Sequence, residues 1–180
     1  MRKNGDNMGT KNKENIILIG FMGCGKTSVG KRLAKRLNYP FVDTDHLIEK
    51  NIGCTINEIF SSKGEDFFRE METSILREIG SDSRHKVIAT GGGLPEKKQN
   101  REILKEIGHV VYLKISKETV IKRLSGDTTR PKLKGDDLST KVDALLRERE
   151  PIYEEVADQV IETDDKSYNE IINLITNAMG

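Results

Sequence analysis

Residues 20–27 read Gly-Phe-Met-Gly-Cys-Gly-Lys-Thr, a match to the pattern G-x(4)-G-K-[S/T]. No other stretch restricts the fold of this chain so tightly. The glycines let the backbone curl until successive N–H groups converge on one anion. The segment lies between an apolar run, Asn15–Ile19, and a helical pattern that places Val29, Leu33 and Leu37 on one face. A helix opening at about Gly25 adds its positive N-terminal dipole to the same point. In such a loop Lys26 reaches the β and γ phosphates of a nucleoside triphosphate, and the Thr27 hydroxyl offers a ligand to Mg²⁺. Strand, loop and helix in this order are the opening unit of an α/β domain.

The rest of the chain repeats that alternation. Phe41 and Val42 form a second short apolar run. Thr55-Ile56-Asn57-Glu58 has the shape of a capping box and predicts a short helix that Gly64 ends. Phe67, Phe68, Met71, Ile75, Leu76 and Ile79 mark a longer amphipathic helix, with Gly80 as its stop. Val87–Ala89 and His109–Ile115 read as buried strands, and 158–162 as a last one. Helices are expected over 96–106, 117–124, 138–149 and 167–178. β-branched runs between helices imply a three-layer α/β/α arrangement, a parallel sheet covered on both faces.

Residues 1–14 are polar and lack aromatics, which predicts a disordered tail ahead of one domain over 15–180. Ser125 to Asp137, SGDTTRPKLKGDD, carries neither helical nor strand period; it is a surface loop in the plainer reading, though a loop of that length inside a compact domain is more often functional than a short one.

Charge narrows the partners. Thirty Lys and Arg face 29 Asp and Glu, a net charge of +1, so an anion site must be local, and neither nucleic acid nor a membrane surface is expected as a partner. Cys24 and Cys54 stand alone, without the spacing of a metal site, and fit reduced thiols in a cytoplasmic protein. No apolar run approaches a membrane helix and no signal-peptide core follows the N-terminus. The three histidines show no metal-ligand spacing. Cys24, at a helix N-terminus, is a candidate reactive thiol.

Three features narrow the phosphate loop to a kinase. Asp43 and Asp45, in Phe41-Val42-Asp43-Thr44-Asp45, follow the second strand, where ligands of parallel sheets gather. One carboxylate could organise the Mg²⁺ shell and the other accept a hydrogen bond from an acceptor hydroxyl. Either could instead cap the helix that starts at Thr44. Gly91-Gly92-Gly93 after the strand VIAT leave the backbone bare to a substrate, or form a flexible strand exit. Arg69, Arg130 and Arg149 are scattered beside separate landmarks and are surface charges in the plainer view.

Taken together, GFMGCGKTSVGKRLA, FVDTDHLIE, GEDFFREME, TGGG, TRP and REREPIYEEVAD resemble the shikimate kinase family from about residue 15 to the C-terminus. The resemblance implies a P-loop NTPase fold with five parallel strands in the order 2-3-1-4-5 and a mobile lid over about 125–137. It also implies ATP as co-substrate with Mg²⁺ and shikimate as acceptor at its 3-hydroxyl; a monomer is expected, although the sequence does not give the oligomeric state. Gly23, Cys24, Gly25, Lys26, Thr27 and Ser28 would surround the phosphates, Thr27 and Asp43 the metal. Arg123 would pack on adenine or be an ordinary exposed helix charge, and Arg130 would swing over the phosphates with a catalytic role beside Lys26. Asp45 would bind the acceptor hydroxyl in a catalytic role, either as its base or by aiming it. Arg69 and Arg149 would grip the substrate carboxylate, and Gly91, Gly92 and Gly93 would line its cavity with backbone N–H groups. Glu72, three residues after Arg69, could orient it or form a surface ion pair.

Two rival classes are weighed. A gluconate kinase shares the phosphate loop, but the DTD pair and two carboxylate-facing arginines favour shikimate. A GTP switch is suggested by Thr140-Lys141-Val142-Asp143, yet that match falls in an amphipathic helix instead of after a strand, and no D-x-x-G follows a core strand.

Overall fold

A computed structural model describes residues 15–125 and 137–180. The residues 1–14 expected as a tail, and all but the ends of the expected lid, lie outside that range, as does Arg130. The strands are β1 (Asn15–Ile19), β2 (Phe41–Asp43), β3 (Val87–Ala89), β4 (Gly108–Lys114) and β5 (Gln159–Glu162). They pair in parallel in the order β2-β3-β1-β4-β5, as the resemblance implies. The helices are α1 (Lys26–Leu37), α2 (Thr44–Ile52), α3 (Ile56–Ser81), α4 (Lys98–Ile107), α5 (Lys117–Leu124), α6 (Leu138–Val156) and α7 (Tyr168–Met179). A short 3₁₀ turn spans Leu94–Glu96.

β1 is central because all of it after Asn15 is apolar. Ile16, Ile17, Leu18 and Ile19 are fully buried, each worth about 1.5–3 kcal/mol by transfer from water. Its one polar residue is satisfied on both sides: Asn15 Nδ2 donates to the Ile107 carbonyl at 2.7 Å, and its Oδ1 accepts from Lys86 N at 2.9 Å. Register aligns Leu18 with Ala89, and Ala89 with Asp43. The segments after β1, β2 and β3 therefore leave the sheet side by side. Phosphate loop, DTD and triple glycine meet there because of that alignment.

At Gly64 the backbone leaves helical geometry (φ 84°, ψ 172°), which ends a short first helix as the sequence reading expects, and a second, longer helix follows within the span of α3. Two boundaries differ from that reading. Gly80 sits inside α3, which closes at Asp82. α6 runs on past 149 to Val156 with Pro151 inside it. A proline removes one backbone hydrogen bond. Here burial of Tyr153 and Val156 offsets that loss.

Candidate active site

The phosphate loop needs a glycine at its first position. Gly20 has φ 148°, and a side chain there would meet the Leu113 carbonyl oxygen at 2.7 Å. Lys26 opens α1 and is buried. Its ammonium folds onto its own loop: Nζ donates to the carbonyls of Gly20 (2.7 Å) and Phe21 (3.0 Å) and lies 3.6 Å from Cys24 Sγ. Thr27 Oγ1 donates to Asp43 Oδ2 at 2.9 Å. The other oxygen of Asp43 accepts from the backbone N–H of Asp45 (3.1 Å) and His46 (3.2 Å). Asp43 thus caps α2 and faces the phosphate loop with the same carboxylate. The cap that sequence offered as one alternative is therefore present, and the second carboxylate oxygen is left in contact with Thr27.

A cavity of about 440 Å³ opens over this loop, bordered by Lys26, Thr27, Asp43, Asp45, Arg123 and Tyr168. Arg123 Nη1 donates to the Gly23 carbonyl at 2.7 Å, so the side chain lies over the loop. The Tyr168 ring, at the start of α7, carries the Arg32 guanidinium 4.6 Å from its centroid. Cys24 is only 2% exposed, which shields its thiol from reagents in this conformation.

A second cavity, about 470 Å³, is lined by Asp45, Phe68, Arg69, Glu72, Arg149 and the three glycines, among others. The two cavities share Met22, Asp45, Gly91 and Gly92. The triple glycine is close-packed: a side chain on Gly93 would come within 2.6 Å of Arg69 Nη1, and one on Gly91 within 2.6 Å of Asp45 Oδ1. Gly91 N donates to Thr44 Oγ1 at 3.0 Å. That amide already has a partner, which corrects the expectation that all three glycines offer N–H groups to the substrate. Gly91 serves by lacking a side chain. The Gly92 carbonyl accepts from the Tyr153 hydroxyl at 2.6 Å, so α6 steadies the loop.

Arg69 comes from α3 and Arg149, 2% exposed, from α6. Arg69 donates to Glu72 (2.8 Å) and Glu65 (3.1 Å). Glu72 is 1% exposed, so this is no surface pair. Its Oε2 holds Arg69, while its buried Oε1 has no hydrogen-bond partner. Burial, aided by the Asp45 and Glu96 carboxylates, outweighs the Arg69 attraction and pushes the Glu72 carboxyl up to about 7.

The stability consequence has a definite sign. A carboxyl raised from 4.5 to about 7 binds more protons folded than unfolded. Its contribution is complete below the lower value and declines as pH rises through that window, by a few kcal/mol at ~1.4 kcal/mol per pH unit. Glu72→Gln should therefore flatten this decline. Urea titrations of both proteins across the window test it, and parallel pH profiles would reject the assignment.

The structure brings together Lys26, Thr27, Asp43, Asp45, Arg69, Arg123, Arg149 and the three glycines, with Gly23, Cys24, Gly25 and Ser28 in or beside the loop. Sequence reasoning passed over Thr44, Glu96, Tyr153 and Tyr168. Thr44 and Tyr153 lie within quoted motifs. Glu96 lies three residues after the triple glycine, whereas Tyr168 reaches the site only through the chain's topology. The Thr140–Asp143 segment lies within α6, as read.

A parallel sheet in this order, a phosphate loop after β1 and an adjoining acidic and guanidinium-lined cavity define a P-loop kinase of small molecules. Comparison with known proteins narrows the class. A family model described as shikimate kinase matches residues 22–180. A shikimate kinase of Francisella tularensis subsp. novicida is 42% identical over 166 residues, covering 92% of this chain and 94% of the relative. The solved structure of shikimate kinase from Acinetobacter baumannii in complex with shikimate superposes with a TM-score of 0.87 at 42% identity, covering 92% of each chain. A gluconokinase from Sinorhizobium meliloti, at 18% identity and a TM-score of 0.59, shares the fold alone. This chain belongs to the shikimate kinase family.

Proposed function

We propose that this protein transfers the γ-phosphoryl group of ATP to the 3-hydroxyl of shikimate, giving 3-phosphoshikimate and ADP, a step of chorismate and aromatic amino-acid biosynthesis. Beyond family membership, the observation that carries the reading is the shared wall between the two cavities. Asp45 borders both, one over the phosphate loop and one lined by Arg69 and Arg149. A hydroxyl beside Asp45 then faces a terminal phosphate across the junction, as in-line transfer needs.

Position and the family resemblance support the following roles. Lys26 and the loop amides from Gly23 to Ser28 hold the phosphates, and Arg123 with Tyr168 flank the base. Arg69 and Arg149 fork onto the substrate carboxylate. Asp45 aims the acceptor hydroxyl and takes its proton as the new O–P bond forms. Arg130, outside the described residues, is assigned to the phosphates as an arginine supplied in cis. Mg²⁺ fits beside Thr27 and Asp43, a hydroxyl and a carboxylate in contact at the loop. Among the described residues no cluster of three His, Cys, Asp or Glu could hold a metal. One or two protein ligands with phosphates and water are the usual setting of Mg²⁺, whose charge offsets that developing on the phosphates.

The reading extends to a cytoplasmic monomer without nucleic-acid or membrane partners. The balanced charge supports it, and no helix among the described residues is long and apolar enough to cross a membrane. The test is ADP release from MgATP with shikimate, and with gluconate as the control acid. Stimulation by shikimate alone, with a phosphorylated product, is expected; stimulation by gluconate alone would transfer the substrate assignment to the rival kinase.

A further inference from the structure

Glu96 lies at the end of the 3₁₀ turn that follows the triple glycine. It is absent from the residues lining the acceptor cavity. One of its oxygens accepts from Arg149 Nε and the other lies 3.5 Å from Arg69 Nη2. One carboxylate therefore joins two guanidiniums that arrive from α3 and α6.

The turn that carries it is held from several directions. Glu96 N donates to the Gly93 carbonyl at 3.0 Å. Arg101 Nη1 donates to the carbonyls of both Pro95 and Glu96 at 3.0 Å. Asn100, fully buried, accepts from Thr73 Oγ1 of α3 at 2.8 Å and donates to the Leu94 carbonyl at 2.9 Å. The same turn begins at Gly93, against whose bare Cα the Arg69 guanidinium rests.

We propose that Glu96 is a positioning residue that sets the two arginines as one fork for the substrate carboxylate. This inference rests on the proposed function for the carboxylate's location. Two like charges brought to one ligand repel each other, and long side chains lose rotamer freedom when fixed. A carboxylate on a rigid turn behind them offsets the repulsion and prepares the geometry before the substrate arrives. Arg149 binds Glu96 through Nε, while its Nη1 lies on the Gly92 side, toward the cavity.

A competing effect has the opposite sign. If Glu96 acted mainly as a negative charge that competes with substrate, removing it would tighten binding. Steady-state kinetics of Glu96→Gln, which keeps size and loses charge, and of Glu96→Ala decide between them. The KM for shikimate should rise about tenfold, with kcat and the KM for ATP held within about twofold. The preference for shikimate over its carboxamide analogue should shrink in both variants, which a general loss of stability would not produce. An unchanged or lowered KM for shikimate in both variants overturns the proposal. Arg69→Ala, measured alongside, separates the failures. If it raises KM while Glu96→Gln does not, only the role of Glu96 is lost; if neither does, the carboxylate site itself is misplaced.

Discussion

Lys26→Ala is expected to lower kcat for phosphoryl transfer about a thousandfold, ~4 kcal/mol of transition-state stabilisation. The loose transition state of phosphoryl transfer gives the protein little covalent work, so fixed positive charge at the phosphates carries much of the rate. Here the ammonium is bound to the Gly20 and Phe21 carbonyls and must turn from them to the incoming phosphates. In the alanine variant those two carbonyls lose their partner inside a buried loop, at a cost of about 1–3 kcal/mol if water does not replace it. A modest drop in Tm should therefore accompany the loss of activity, with the fold retained by circular dichroism. Lys26→Met, which keeps the apolar stem, should be equally inactive. Substantial activity in both variants would remove Lys26 from the catalytic roles assigned above.

The phosphate loop was legible because its chemistry is local. Eight consecutive residues specify the turn, the donors and the cation, and neighbouring periodicities supply the strand and helix. Asp43 and Asp45 were legible as a pair at a strand end, and only the resemblance divided their roles. The contacts of Asp43 were not legible: they depend on Thr27 and on the two N–H groups at the start of α2, and the first of these reaches Asp43 only through the packing of α1 on the sheet. Pro151 shows the limit of a local rule. A proline argues for a helix end near 149, yet the buried Tyr153 and Val156 carry α6 a further two turns. Tyr153 then fixes the Gly92 carbonyl, a link across 61 positions that no sequence window contains. Tyr168 escaped for the same reason, as a single aromatic residue that only the fold brings to the site. Glu96 lies three residues after Gly93 and escaped because a single charged residue in a turn looks ordinary. Strand order itself came from resemblance and not from periodicity, since alternating strands and helices fit several parallel topologies.

Arg69→Ala should weaken shikimate binding by about 2–5 kcal/mol, a rise in KM of thirtyfold or more, with a smaller effect on kcat. The scale follows from what the variant leaves behind. Glu72, nearly inaccessible, loses the guanidinium that holds its Oε2, and Glu96 loses one of two cations. The substrate carboxylate then enters a site with one guanidinium and unchanged acidic neighbours, Asp45, Glu72 and Glu96. Part of that repulsion can be relieved by protonation of Glu72, held up at about 7 by burial even beside Arg69 and raised further once the guanidinium that lowers it is gone. The penalty in Arg69→Ala should therefore be smaller at pH 7 than at pH 9, because the proton removes one negative charge beside the incoming carboxylate. Initial rates over a range of shikimate concentrations at both pH values test the two parts separately. An unchanged KM would displace the carboxylate from Arg69. A raised KM with no pH dependence would leave Arg69 in place and show that Glu72 does not titrate with the bound acid.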